Sequence, residues 1–242
     1  MTRSAGHHLR LARYGFTDVA AAATLLGPAP AGLGLWDETE AAPVDDAAGE
    51  VLTALGESAD PSLALRQLHR IEEAAQRYSV EGPLATMRTE PVVRSALAAV
   101  LGASITLGDE LVAQPARWTA VRDLAFDPAA PFGGQPVDSP AALRTAHRNA
   151  LLRMAAADLT GMSDVDTTMR HLSALADATL AAGLRLAMAE RGTSPRLAVI
   201  AMGKCGGQEL NYVSDVDVIF VCESDVDLVD AQVVAADMMR IC

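Results

Sequence analysis

Basic residues are scarce in this sequence. Nineteen stand against 31 acids, which leaves a net charge of −12 over 242 residues, and Lys204 is the only lysine. A surface this acidic repels phosphate backbones, so a nonspecific nucleic-acid binder is excluded. Small nucleotides remain open, because a metal ion can bridge carboxylates to phosphate. Aromatics make up only 4% of a chain that is 50% hydrophobic. Its core must therefore be built from small aliphatic side chains, which suits closely packed helices. Cysteine is also rare, with Cys205, Cys222 and Cys242 alone. An odd count at wide spacing gives neither a disulfide framework nor a zinc pattern. No apolar leader run follows Met1, since Arg3, His7, His8, Arg10 and Arg13 interrupt the start. No stretch reads as both long and apolar enough to span a membrane. The expectation is a protein of the reduced cytoplasm with no nucleic-acid or membrane partner.

What is present reads as a mostly α chain. Thr17 is a plausible N-cap for a short helix through Leu26, and Gly27 stops it. Leu33 to Asp46 reads as a connection. From Trp36 to Asp60 there are eight acids and no bases, which reads as a solvated loop and helix face. Asp60-Pro61 opens a helix with Leu65, Leu68 and Ile71 on one face. Glu90-Pro91 opens another through Leu101, and shorter helices follow over Ser104 to Val112 and Pro115 to Leu124. The Pro- and Gly-rich segment Phe126 to Ser139 reads as a loop. Ser139 then caps a long helix, Gly161 ends it, and Ser163 caps the next, which runs to about Glu190. The texture changes near Arg191 to Arg196. Leu197 to Met202 and Val216 to Cys222 are short apolar runs that read as buried strands, separated by Gly203, Gly206 and Gly207. Residues 1–195 are thus expected to form a helical domain, and residues 196–242 to begin an α/β domain.

The chemistry concentrates between those two runs. Asp215 and Asp217 are expected on one face at the start of the second strand, because side chains at i and i+2 of a strand project together. Two acids beside Val216, Val218, Ile219 and Phe220 are costly unless a cation or solvent neutralises them. Mg²⁺ prefers carboxylate and phosphate oxygens. Gly206 and Gly207 allow backbone N–H groups to come close to phosphate oxygens. The tetrapeptide Ser-Asp-Val-Asp occurs three times, at Ser163, Ser214 and Ser224. Capping explains the first and a loop or cap the third, so only the copy at Ser214 has the glycine turn and apolar strand a metal site requires. A Walker A loop at Gly203-Lys204 fails, because Ala198 stands where its first glycine belongs and Cys205 where Ser or Thr must bind the metal. Lys204 fits equally as a point charge near phosphate and as a solvated residue at a strand end. Cys205 and Cys222 read as small core residues. The five histidines form no i, i+4 ligand pair and read as structural or surface residues.

A glycine pair followed by Asp-x-Asp on a strand resembles the DNA polymerase β-type nucleotidyltransferase superfamily. The longer string AMGKCGGQELNYVSDVDVIFV resembles the signature of the glutamine synthetase adenylyltransferase/adenylyl-removing family. YGFTDVAAAATLL, GASITLGDELVAQPARW and HRNALLRMAAADLTGMSDVDTTMRHLSALADATL are similar to segments upstream of that signature. The resemblance implies a helical domain followed by the β-α-β opening of a polymerase β-like domain. It implies Mg²⁺ held by Asp215 and Asp217, with Gly206, Gly207, Ser214 and Lys204 at the phosphates, and Glu209 and Asn211 bracing the turn. It further implies the half of the family's bifunctional enzymes that removes AMP from glutamine synthetase by phosphorolysis, with ATP, ADP and phosphate as small partners. A PII-type signalling protein would govern the balance. A third carboxylate is expected downstream of Cys242, so the domain is expected to be truncated here. A PII uridylyltransferase-like member of the superfamily would share the glycines and aspartates, but its helical flanks differ. A non-catalytic helical scaffold is the remaining alternative.

Overall fold

A computed structural model describes residues 10–223 and 228–242, so the third Ser-Asp-Val-Asp lies outside the described residues. The fold is mostly α, as expected, and the chain divides into two compact units. One takes the residues up to Asp123 together with Ala155–Thr160, and the other takes Leu124–Met154 with Gly161–Cys242. The two do not meet at the change of texture near Arg191 to Arg196. The residues around the two long helices fall with the strands instead.

The first unit contains α1 (Val19–Leu26), a two-residue hairpin of β1 (Trp36–Asp37) and β2 (Ala42–Pro43), α2 (Asp46–Gly56), α3 (Pro61–Tyr78), α4 (Leu84–Thr89), α5 (Pro91–Ala103), α6 (Ile105–Ala113) and a 3₁₀ turn at Pro115–Arg122. Helix α3 packs against both α5 and α6. It starts where Asp60 Oδ1 accepts the Leu63 N–H at 2.9 Å, with Pro61 in the first turn, and it ends at left-handed Ser79. Its Leu65, Leu68 and Ile71 are buried with Leu52, Leu55, Leu97 and Leu101. Each such side chain contributes about 1.5–3 kcal/mol. Trp118 is fully buried and donates its indole N–H to the Glu81 carbonyl at 2.9 Å.

Several details correct the sequence reading. The cap of α1 is Asp18, one residue after Thr17, and the Thr17 N–H instead bonds Ser62 Oγ at 2.9 Å. The acidic stretch is more than a solvated face. Asp45 and Asp60 cap helices, Asp37 accepts the N–H groups of Thr39 and Glu40, and Glu50 pairs with Arg94.

The second unit is built on α7 (Pro140–Leu159, of which the part from Ala155 on falls in the first unit), α8 (Val165–Arg191), β3 (Leu197–Ala201), the one-turn α9 (Gly203–Gly206), β4 (Val218–Cys222) and α10 (Leu228–Ile241). Ser139 caps α7 by accepting the Ala142 N–H. The cap of α8 is Asp164 rather than Ser163, and Gly192 closes the helix in a left-handed conformation. Val165–Arg191 is long and apolar enough by composition to meet the criterion for a membrane span, which departs from the expectation. Here two apolar clusters assemble on it, one through Leu172, Leu175 and Ala176 and the other through Ala182 and Ala187.

Strands β3 and β4 pair antiparallel, from Leu197 opposite Cys222 to Ala201 opposite Val218. They are not buried on both faces. Val199 and Phe220 pack toward Leu180, Val234 and Met238, while Ile200, Ile219 and Val221 remain 46%, 49% and 45% exposed on the other face. The alternation follows from the two-residue period of a strand with one covered face. Helix α10 lies on α8 through Val234, Met238 and Ile241, while Val229, Val233 and Met239 on its other side are exposed.

Candidate functional site

The connection between β3 and β4 holds every candidate residue. It begins with Gly203 at φ 55°, a left-handed conformation that glycine adopts without strain. Residues 203–206 make one helical turn, in which Gly206 donates its N–H to the Met202 carbonyl and Gly207 donates to Gly203 at 3.0 Å. The N–H groups of both glycines are thus engaged within the turn. Gly206 has a steric reason to be glycine, because a Cβ there would stand 2.4 Å from the Ala201 carbonyl oxygen. At Gly207 a Cβ would have ordinary clearance, with its nearest neighbour at 3.4 Å. Gln208 follows in a left-handed conformation, and the Glu209 N–H returns to the Lys204 carbonyl at 2.7 Å. Lys204 is exposed.

The loop is then fastened to α8. The Leu210 side chain is buried among Ala150, Met154, Leu172, Leu175, Ala176 and Cys205. Its N–H donates to Ser173 Oγ at 3.2 Å, and Ser173, fully buried on α8, donates its own proton to the Met169 carbonyl at 2.9 Å. One turn further along α8, Asp177 Oδ1 lies 3.9 Å from Cys205 Sγ. Burial first, and then the Asp177 carboxylate, push the Cys205 thiol pKa up. Ser173 and Asp177 were missed by the sequence reading. They sit at ordinary helix positions, and only their contacts with a loop 37 and 28 residues away distinguish them.

Asp215 and Asp217 precede β4 rather than lying within it. Asp217 extends the ladder by one bond, since its carbonyl accepts the Met202 N–H at 2.8 Å. Its Oδ2 lies 3.7 Å from the position a Cβ would take on Gly203, so this carboxylate faces the start of the glycine turn. Both aspartates are exposed, so water supplies the neutralisation that the apolar neighbours cannot. Ser214 donates its hydroxyl proton to Asn211 Oδ1, which makes Asn211 a brace of the turn. No group of three or more His, Cys, Asp or Glu side chains that could hold a metal occurs among the described residues. Two carboxylates still fit Mg²⁺, which is commonly held by one or two of them and completes its shell with water and substrate phosphate.

Three of the histidines have structural partners. The His171 ring packs at a tilt against Phe126, with centroids 4.7 Å apart, and burial lowers its pKa; His147 bonds Thr179, and His69 bonds the Ala31 carbonyl. The upstream copy of the tetrapeptide is a cap, as expected. Asp164 accepts the Thr167 N–H at 2.7 Å, which holds its carboxyl below the usual range.

Residues 110–239 match the family described as glutamate-ammonia ligase adenylyltransferase. Among curated proteins, the chain is 42% identical over 253 aligned residues to a bifunctional glutamine synthetase adenylyltransferase/adenylyl-removing enzyme of Streptomyces avermitilis, covering 96% of this chain and 24% of the relative. The Streptomyces coelicolor protein of the same name is 43% identical, and that of Mycobacterium avium 42%, with 24% of each relative covered. The chain therefore spans about a quarter of the length of the curated relatives it matches.

Proposed function

Since this chain belongs to the glutamate-ammonia ligase adenylyltransferase family, we propose that it contributes the glycine loop and two metal-binding carboxylates of a nucleotidyltransferase site acting on glutamine synthetase, in the half that removes AMP. The observation that carries the reading is Asp217 over Gly203. It brings an exposed carboxylate to a glycine turn, at the Ser-Asp-Val-Asp copy that leads into β4.

Asp215 and Asp217 would hold Mg²⁺. When bound, the metal neutralises charge on the phosphoryl oxygens. Inorganic phosphate forms the new bond to phosphorus, the bond to the tyrosine oxygen breaks, and ADP and the free tyrosine are released. The tyrosine oxygen recovers its proton from solvent. The chain's own contribution is positioning, which supplies most of the catalysis in phosphoryl transfer. The Met202–Asp217 backbone bond fixes the register of the second carboxylate. The Asn211–Ser214 bond shapes the turn in front of the first. Lys204, within the turn, adds the one lysine charge of the chain. Mg²⁺, ATP or ADP, phosphate and a PII-type regulator complete the proposed set of cofactors and partners, in the cytoplasm.

The test is Mg²⁺-dependent release of ADP from adenylylated glutamine synthetase by a chain extended to the full length of its relatives. Asp215→Asn and Asp217→Asn should each reduce the rate by at least about a hundredfold, the scale of losing one preorganised charge partner. Their folding should be unaffected, because both side chains are exposed. Asp164→Asn is the internal control. It alters the same tetrapeptide, keeps a capping side chain and should leave Mg²⁺ dependence unchanged. Wild-type ADP release by either Asp215→Asn or Asp217→Asn would sink the assignment.

A further inference from the structure

The loop that carries the two aspartates has no helix or strand from Gly207 to Asp217. Its position must come from its anchors. Within the connection itself, Gln208 and Glu209 bond back to Cys205 and Lys204. Those bonds shape the turn but do not fix it to the rest of the unit. At the Asp217 end the Met202 N–H ties the loop to β3, and near its start one face of α8 holds it. Ser173 takes the Leu210 N–H, and Asp177, one helical turn on, contacts the Cys205 thiol. Between them Ala176 packs in the apolar cluster that also receives the Leu210 side chain.

Ser173 is unusual for its surroundings, being a hydroxyl with no exposed surface among apolar neighbours. Its proton goes to the Met169 carbonyl, so its oxygen is left to act as acceptor. The group it accepts from is the backbone of Leu210, five residues before Asp215. An Ala at this position would pack as well but would leave a buried N–H without a partner.

We infer that Ser173 is a positioning residue for the carboxylate pair: through the Leu210 N–H it locks the glycine loop to α8 and so sets the placement of Asp215 and Asp217 for the metal ion. The inference rests on the metal-site reading above and adds to it a residue 42 positions away in sequence from Asp215 (215 minus 173). Ser173 itself touches neither metal nor substrate.

The experiment has one arm without metal and one with it. In the metal-free chain, hydrogen exchange of Ser173→Ala should be about five- to tenfold faster at Leu210, the size expected for one lost hydrogen bond. Exchange across Leu180–Ala187 of α8 should stay as in the wild type. In the chain extended to full length, Ser173→Ala should raise the Mg²⁺ concentration for half-maximal ADP release by about three- to tenfold, again the scale of one hydrogen bond. Saturating Mg²⁺ should restore the rate, and KM for adenylylated glutamine synthetase should not move. Ser173→Thr, which keeps the hydroxyl, should return the Mg²⁺ requirement toward wild type. Unchanged exchange at Leu210 overturns the inference. So does a loss of rate that excess Mg²⁺ fails to recover, since a merely structural defect behaves that way. If Asp215→Asn is inactive while Ser173→Ala keeps the wild-type Mg²⁺ requirement, the positioning role fails and the site reading stands. If Asp215→Asn is fully active, the site reading itself has failed.

Discussion

Two adjacent glycines, Gly206 and Gly207, are under different constraints. A Cβ on Gly206 would meet the Ala201 carbonyl oxygen at 2.4 Å and its carbon at 3.1 Å, and both are backbone atoms of β3. Alanine normally improves a helical position by up to about 1 kcal/mol. Here the turn would have to move off the strand, and Gly206→Ala should cost about 1–3 kcal/mol, as overpacking does. Gly207 has φ −81° and room for a methyl group, so Gly207→Ala should be neutral or stabilising by up to about 1 kcal/mol. Thermal melts of the two variants check this. If Gly207→Ala keeps full stability and still loses ADP release, Gly207 is needed for close approach of a ligand rather than for the fold. Equal destabilisation by both changes would contradict the geometry. The glycine pair was visible in the sequence, but the sequence treated the two residues alike. The difference lies in how closely the end of β3 runs beside the turn, a matter of local backbone geometry that the residue types do not display.

Helix α10 shows how an element is seated by both apolar and charged contacts. Val234, Met238 and Ile241 are buried against α8, and Gly183 on α8 leaves room for the Cys242 sulfur, which a Cβ there would meet. Beside them the Asp237 carboxylate receives hydrogen bonds from Arg191 on α8 and from Arg240 on its own helix. The Arg191 bond, then the Arg240 bond, hold the Asp237 carboxyl below its ordinary value of 3.8. A lowered carboxylate pKa favours the folded arrangement at any pH above the ordinary value. That contribution is lost as pH falls below about 4 toward the folded value. Hydrogen-exchange protection of α10 should therefore drop below about pH 4, earlier than that of α8, and Asp237→Asn should remove this step. An α10 whose protection is independent of pH down to 3 would contradict the role of the ion pairs.

The helical elements were largely legible because they carry local signals, as at Asp60-Pro61, Glu90-Pro91, Ser104 and Ser139. Helix α4 and the hairpin of β1 and β2 were not. Helix α4 has no side-chain cap of its own and is met instead by Glu72 of α3, which accepts the Leu84 N–H. The hairpin is only two residues per strand, too short for a period to show. Thr17 and Ser163 were each one residue from the true cap because Asp18 and Asp164 compete as equally good acceptors.

At the scale of the whole molecule, the second unit combines elements of unequal support. Helix α8 runs 27 residues and contributes to both apolar clusters, so opening it requires opening the core. The β3–β4 pair is different. Two strands rarely make an independently stable sheet, and among the described residues each of these pairs only with the other. One face is held by Leu180, Val234 and Met238, while Ile200, Ile219 and Val221 on the opposite face are about half exposed. Apolar surface left in water contributes nothing to folding, so the pair should open without the helices opening. Hydrogen exchange on the chain of 242 residues should therefore rank Leu172–Ala187 of α8 as the slowest segment of the unit. Leu197–Ala201 and Val218–Cys222 should exchange at least about tenfold faster, the ratio that about 1.4 kcal/mol of local opening free energy produces. Their rate should slow on addition of any ligand or partner surface that covers Ile200, Ile219 and Val221, since binding to the closed form alone stabilises it. Protection of the strands equal to that of α8 would show that the pair and the helices open as one cooperative unit. The half-exposed face would then be supported from its inner side alone, and the inequality argued here would be wrong.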